Sequence, residues 1–238
     1  MISVCLISYN GERFIAQQIR SILEQLGEND ELIISDDGST DKTIEIIESF
    51  KDPRINVLKH EPFRNPTFNM EFALKHAQGE YIFMSDQDDV WLPDKVSKML
   101  RALEKYDYVI SDCYVTDENL NIIYDTRYVK ELKIRKNKYL ALFFTTPYQG
   151  SCVAFRHSVL DKALPFPSYI QSHDRWIGHV AAFFYKITFI PDKLMYYRRH
   201  ANNTSQFNSP NPIYRRILYR LGYIIGLIGV FLKKIKNG

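Results

Sequence analysis

Residues 81–91 read YIFMSDQDDVW. The apolar run from Tyr81 to Met84 has the length and side-chain character of a buried strand, and it leads straight into Asp86, Asp88 and Asp89. Carboxylates this close repel one another, and more strongly beside an apolar core where water is scarce. A positive charge must therefore stand among them, at the carboxyl end of a strand.

The flanking sequence repeats the same alternation. ISVCLIS (residues 2–8) is a strand, followed by a helix from about Glu12 with Phe14, Ile15, Ile19, Ile22, Leu23 and Leu26 along one face. ELIIS (31–35) is the second strand, and a helix starts near Thr40. INVLKH is the third, TFNMEFALKHAQ a helix stopped by Gly79, and Pro93 opens a further helix in PDKVSKMLRALEKY. Strands alternating with helices of this length predict an α/β fold with parallel pairing and right-handed crossovers. The strands are apolar throughout, as expected when helices cover both faces of a sheet. After Tyr106 the pattern loosens; a helix near Arg175 follows, and KITFIP and KLMYYRRH predict a β pair. ANNTSQFNSPNP reads as a linker.

In an open parallel sheet, ligands bind outside the carboxyl ends of the strands. SDDGSTD (35–41) and SDQDD (85–89) both fall there, so both face one crevice. In the first, Gly38 and a Ser39 or Thr40 cap account for a turn, while Asp36 and Asp37, if unpaired, are free to accept hydrogen bonds from a base N–H or ribose hydroxyls. In the second, a solvated turn competes with a site for a hard divalent cation, Mg²⁺ or Mn²⁺. Such an ion takes one or two protein carboxylates and fills its other positions with phosphate oxygens and water. It would supply the missing positive charge and imply a phosphorylated ligand. Neither GxGxxG nor GxxxxGK[ST] occurs, which argues against dinucleotide and P-loop chemistry.

Together ISYNGERFIAQQIRSILEQ, LIISDDGSTDKT and GEYIFMSDQDDVW resemble glycosyltransferase family 2, inverting sugar transferases with a GT-A type fold. SHDRW and YYRRHANNTS are similar to later motifs of its bacterial rhamnosyltransferase-like members. The resemblance runs to about Ser205 and implies one GT-A domain over residues 1–205. Its halves would be a Rossmann-like nucleotide-sugar-binding part (1–106) and a smaller acceptor-binding part (107–205). It implies that Tyr9, Asp36, Asp37 and Asp86 contact the donor nucleotide. Asp88, Asp89 and His200 would serve the metal, and Asp174 would be the general base. Asp174 has a plainer explanation, since an acid in a first helical turn is favoured by capping and dipole alone. Trp91, Gly150, His173 and Trp176 are candidates for the acceptor or sugar cleft, although buried packing explains the tryptophans equally well. His173 and His179 lack a zinc spacing such as HxxxH. The implied partners are a nucleotide-sugar donor, dTDP-rhamnose or a UDP-sugar, and a glycan or lipid-linked acceptor. Rival readings are a nucleotidyltransferase or phosphatase, and a non-catalytic binding module. No QxxRW motif of processive synthases is present.

Composition sets the remaining bounds. In 238 residues, 45% are hydrophobic and 25% charged, which excludes wholesale disorder, and a net charge of +3 demands no nucleic acid. Cys5, Cys113 and Cys152 offer no disulfide framework, and MISVCLIS reads as a strand rather than a signal peptide, so a cytoplasmic protein is expected. From Leu221 to Leu232 the tail is apolar with basic flanks. That is short of the ~20 residues needed to span a bilayer and suited to a helix lying on the inner face of the membrane. A helix docked on the domain is the alternative.

Overall fold

A computed structural model describes residues 1–128, 138–143, 147–201 and 212–237. The first hundred residues alternate as expected: β1 (Ile2–Ser8), α1 (Ile15–Leu23), β2 (Glu31–Asp36), α2 (Thr43–Ser49), β3 (Ile55–Leu58), α3 (Pro66–His76) and β4 (Tyr81–Asp86). A short β5 (Val90–Trp91) and α4 (Lys95–Leu103) follow. Then come β6 (Tyr108–Thr116), β7 (Ile122–Tyr124), α5 (Lys138–Phe143), β8 (Val153–Arg156), α6 (Leu160–Ala163), α7 (His173–Phe184), β9 (Ile187–Arg198) and α8 (Ile213–Asn237).

One sheet runs through both halves of the chain in the order β3-β2-β1-β4-β8-β6-β9-β5, with β7 on β6. The strands from β3 to β4 are parallel, and β6 is parallel to β9; β8 is antiparallel to both β4 and β6. Every residue of β1 is buried, because helices cover both faces there. Asn65 caps α3 by accepting a hydrogen bond from the Thr67 amide, and Pro66 occupies the first turn, where its missing N–H costs nothing.

Three points differ from expectation, and a fourth is not tested. KITFIP and KLMYYRRH form a single strand, β9. Its pairing with β6 jumps from Ser111–Ile190 to Asp112–Lys193, so Pro191, which has no N–H to donate, and Asp192 fall in the irregularity. Pro93 does not open its helix: α4 begins at Lys95, after Asp94 at φ 68°. Val90 and Trp91 form an edge strand against β9 that was not foreseen. The expected linker lies, apart from Ala201 and Pro212, outside the described residues.

Helix α8 docks on the domain through Tyr223 and Leu227, each buried, worth roughly 1.5–3 kcal/mol apiece. Gly226 permits the approach: a Cβ there would lie 2.6 Å from the Trp176 ring. The opposite face presents Ile217, Leu218, Leu221, Ile225, Ile228, Leu232 and Ile235 to solvent, each about half exposed. Among the described residues no helix is long and apolar enough to cross a membrane.

Candidate active site

The parallel register sets Ser8 beside Asp36 and Ile7 beside Asp86, so the chain leaves β1, β2 and β4 on one edge of the sheet. Chain order runs outward from β1 in both directions, to β2 on one side and β4 on the other. This is the switch point at which open α/β sheets bind ligands. The loops there are tied together. The Gln87 carboxamide accepts from the Tyr9 amide at 2.8 Å and donates to the Tyr9 carbonyl at 2.9 Å. Gly11 makes room for it, since a Cβ would stand 2.2 Å from Gln87 Oε1. The Tyr9 side chain is 57% exposed at this edge.

Asp36 and Asp37 are both paired. Asp36 Oδ1 accepts from the amides of Gly38 and Ser39, and its Oδ2 from the hydroxyls of Ser8 and Ser39. Asp36 thus builds the turn. Asp37 accepts from the Arg64 and Asn65 amides, both at 3.0 Å, one on each oxygen. A carboxylate oxygen has two acceptor directions, so Asp37 retains capacity for a ligand while Asp36 has spent its own on the turn.

The acidic triad divides by depth. Asp88 Oδ2 lies 2.9 Å from His200 Nε2. Asp86 accepts from Ser151 Oγ at 2.8 Å, and burial, then the Asp88 charge, push its carboxyl up to about 6. Asp89 is fully buried, and burial with the charges of Asp88 and Asp86 holds its carboxyl well above the usual range. Among the described residues no three His, Cys, Asp or Glu side chains converge to hold an ion, so Asp89 does not form one cluster with Asp88 and His200.

The chain itself supplies part of the compensating charge. Arg198, 4% exposed, donates from its amide to Asp89 Oδ1, from Nε to the Asp88 carbonyl, from Nη1 to the Glu118 carbonyl and from Nη2 to Gln17. Lys95 is fully buried and donates to the Ser151 carbonyl at 2.9 Å. Burial lowers its pKa while Cys152, Cys113 and Asp89 oppose the shift. Arg198, Lys95, Gln17 and Ser151 were all missed at the sequence level. Only a contact map could nominate them, because each is an ordinary polar residue in its own segment.

The acceptor-side candidates separate in the same way. Gly150 lies against the start of α7: a Cβ there would be 3.3 Å from His173 Nε2 and 3.5 Å from Asp174 Cβ. Asp174 Oδ1 accepts from the Arg175 amide at 2.7 Å and from Ser172 Oγ. The charges of His173 and Asp174 both reach Asp86, so SDQDD, QGSC and SHDRW meet in one place. The tryptophans do not join them. Trp91 is 3% exposed and packs on Phe83 and Lys95; Trp176 is 1% exposed and donates to the Ala163 carbonyl. Both are core residues and offer no face for a sugar.

A family model described as glycosyl transferase family 2 matches residues 3–164. This chain belongs to that family. It is 27% identical to an uncharacterized glycosyltransferase of Haemophilus influenzae, over all of this chain and 78% of that protein. It is also 36% identical to the Escherichia coli UDP-Glc:α-D-GlcNAc-diphosphoundecaprenol β-1,3-glucosyltransferase WfaP, over 44% of this chain and 41% of WfaP. Among solved structures it resembles S. aureus TarS 1-349 in complex with UDP-GlcNAc, with a TM-score of 0.72 at 21% identity, over 94% of this chain and 66% of TarS 1-349. A Pyrobaculum calidifontis mannosyltransferase in complex with GDP-Man and Mn²⁺ gives a TM-score of 0.62 at 20% identity, over all of this chain and 64% of that one. These likenesses establish the GT-A fold.

For a family 2 glycosyltransferase a divalent cation is the implied cofactor, and the residues present fit one. Asp88 and His200 converge to hydrogen-bonding distance with oxygen and nitrogen donors, and both side chains are largely shielded from solvent. Two protein ligands leave the other positions of an octahedral ion to diphosphate oxygens and water.

Proposed function

We propose that this chain transfers one sugar, with inversion, from a nucleoside diphosphate sugar to a hydroxyl of a glycan or lipid-linked acceptor. The carrying observation is the juxtaposition of Asp174 and His173, across Gly150, with Asp86 and its neighbours. A base and a diphosphate-binding group must flank the anomeric carbon, and these residues come from opposite halves of the fold. Asp37 would accept from the base N–H with its remaining lone pairs, beside Tyr9, and Asp86 would approach the ribose. Asp174 would take the proton as the acceptor oxygen bonds to the anomeric carbon and the bond to the diphosphate breaks. A divalent cation held by Asp88 and His200 would offset charge on the departing diphosphate, an effect of several kcal/mol. The names of WfaP and WfgD, both UDP-glucose-dependent, favour a UDP-hexose over dTDP-rhamnose as the first donor to try.

A lipid-linked acceptor places the reaction at a membrane, and the outward face of α8 suits that surface. Its exposed side chains are apolar, and no Asp or Glu occurs between residues 201 and 238.

The test is titration of UDP with Mn²⁺ by calorimetry, beside a transfer assay. Asp174→Asn should bind UDP normally and lose ~10²–10⁴-fold in transfer; Asp88→Asn should lose Mn²⁺-dependent UDP binding. Transfer retained by Asp174→Asn would reassign the base. No uptake of any nucleoside diphosphate by the unmodified protein would defeat the transferase reading and leave a glycan-binding module.

A further inference from the structure

Helices α7 and α8 lie side by side. The His179 ring is 5.3 Å from Tyr223, and Trp176 packs where Gly226 gives it room. Beyond that contact a groove of about 550 Å³ opens, lined by Leu142, Phe143, Phe183, Leu227, Ile228 and Phe231 among others; among the described residues no lining side chain is charged, and Lys138 Nζ stands 4.7 Å from the centre of the Phe183 ring. In the other direction the surface changes character. One turn before His179 stands Arg175; one turn before Tyr223 stands Arg220, with Arg216 a turn earlier on the same stripe. Arg175 follows the candidate base directly. Arg220 lies within electrostatic reach of the other two: burial first, then the charges of Arg216 and Arg175, lowers its pKa. Like charges brought together this way favour a multiply charged anion over a single carboxylate.

At ~1.5 Å of rise per residue, Arg220 stands roughly 10–16 Å from Leu227 and Phe231 along α8. A cationic cluster, an apolar groove at that separation and the base Asp174 at the cationic end match one molecule: a saccharide on a diphosphate carried by an isoprenoid chain. We infer that Arg175, Arg216 and Arg220 bind the acceptor's diphosphate, that the groove between α5, α7 and α8 receives its isoprenoid, and that the saccharide hydroxyl thereby reaches Asp174. This rests on the transferase reading above and adds to it the class of acceptor and the surface that reads it. On that reading the nucleotide's own diphosphate would sit on the cation that Asp88 and His200 would hold, so the two anions would be bound by different residues.

Farnesyl diphosphate is a soluble probe of this surface. Titrated calorimetrically into the full chain, it should bind at least tenfold more tightly than farnesol or inorganic pyrophosphate. Arg216→Gln with Arg220→Gln should weaken it by roughly tenfold or more, the loss expected for charge-assisted hydrogen bonds. Phe231→Ser, at a half-exposed position, should weaken it through the groove. UDP affinity, measured on the same samples with Mn²⁺, should be unchanged in every variant. Farnesyl diphosphate binding that equals that of farnesol, or that survives the arginine replacements, overturns the inference while UDP uptake keeps the transferase reading intact. Retention on phospholipid vesicles without farnesyl diphosphate binding also overturns it and assigns the surface to the bilayer. Loss of UDP uptake by the unmodified chain is the separate failure of the parent reading.

Discussion

Arg198→Met is the sharpest test of how the acidic cluster is tolerated. The replacement keeps much of the apolar stem and removes the side-chain hydrogen bonds to the Asp88 carbonyl at 2.8 Å, the Glu118 carbonyl at 2.6 Å and Gln17 Oε1 at 2.6 Å, together with the guanidinium over Phe14. Hydrogen bonds involving a charged group contribute about 1.5–3 kcal/mol each. A simple sum overstates the loss, because burial lowers the Arg198 pKa and so already offsets part of what its contacts contribute. Breaking a buried ionic arrangement from one side costs about 3–5 kcal/mol, and that is the expected destabilisation. For a chain of this size the melting temperature should fall by roughly 6–20 °C at about 2–4 °C per kcal/mol. Arg198→Lys restores the charge without the planar fork and should recover only part of the loss. The assay is thermal unfolding followed by circular dichroism, paired with a UDP titration in Mn²⁺. UDP binding should weaken at least tenfold on an order-of-magnitude scale, since Nε holds the backbone beside Asp88. A methionine variant melting within about 2 °C of the parent, with unchanged UDP affinity, would refute the idea that Arg198 neutralises and positions this turn.

Two further outcomes follow from burial. His179 is fully buried, both ring nitrogens lack partners, and burial lowers its pKa to about 3. Because the folded state refuses a proton that the unfolded chain accepts below about 6.5, the stability it protects is complete above that pH and drains as pH falls towards 3. His179→Leu should flatten the acid limb of a stability-against-pH curve by up to about 5 kcal/mol, and an unchanged limb would mean the imidazole is hydrated. On α8, Leu218→Asp with Ile225→Asp alters only exposed positions and should release the protein from anionic vesicles in a flotation assay without changing its melting temperature; unchanged flotation would count against membrane contact through this face. Deleting the helix is a poorer test, because it also uncovers Trp176.

The parallel half of the fold was legible because its signals are local. Apolar runs of strand length and the placing of SDDG and SDQDD at strand ends need no knowledge of distant contacts. The mixed half was harder for a physical reason. Pro191 looks like a strand breaker, yet a twelve-residue strand absorbs it in an irregularity beside β6. Val90 and Trp91 are too short a run to announce a strand, and only β9, a hundred residues later, makes them one. In the site, residue type predicted location better than role. Asp36, Asp37, Asp86, Asp88 and Asp89 all stand at the expected edge. Composition could not say that Asp36 would be consumed by its own turn or Asp89 by burial, because both outcomes depend on donors such as Ser8 and Arg198. The tryptophans fail for the converse reason: an aromatic in a functional motif packs as readily inward as outward.

Unbalanced charge also explains why the segments before and after residue 106 form a unit. Asp86, Asp88 and Asp89 stand at the end of β4, but Ser151, Arg198 and His200, which hydrogen-bond to them, arrive from beyond residue 106. The sheet is shared in the same way, with β8 closing on β4 and β9 on β5. A fragment ending at residue 106 would keep Lys95 as the buried cation near Asp89, lose every partner beyond it, and expose the edge of β4. Burial of Asp89 without Arg198 would then be resolved by protonation or by unfolding of the 86–91 turn. The acidic turn after β4 is therefore held in its folded form only where β9 and the segment around Ser151 are already in place.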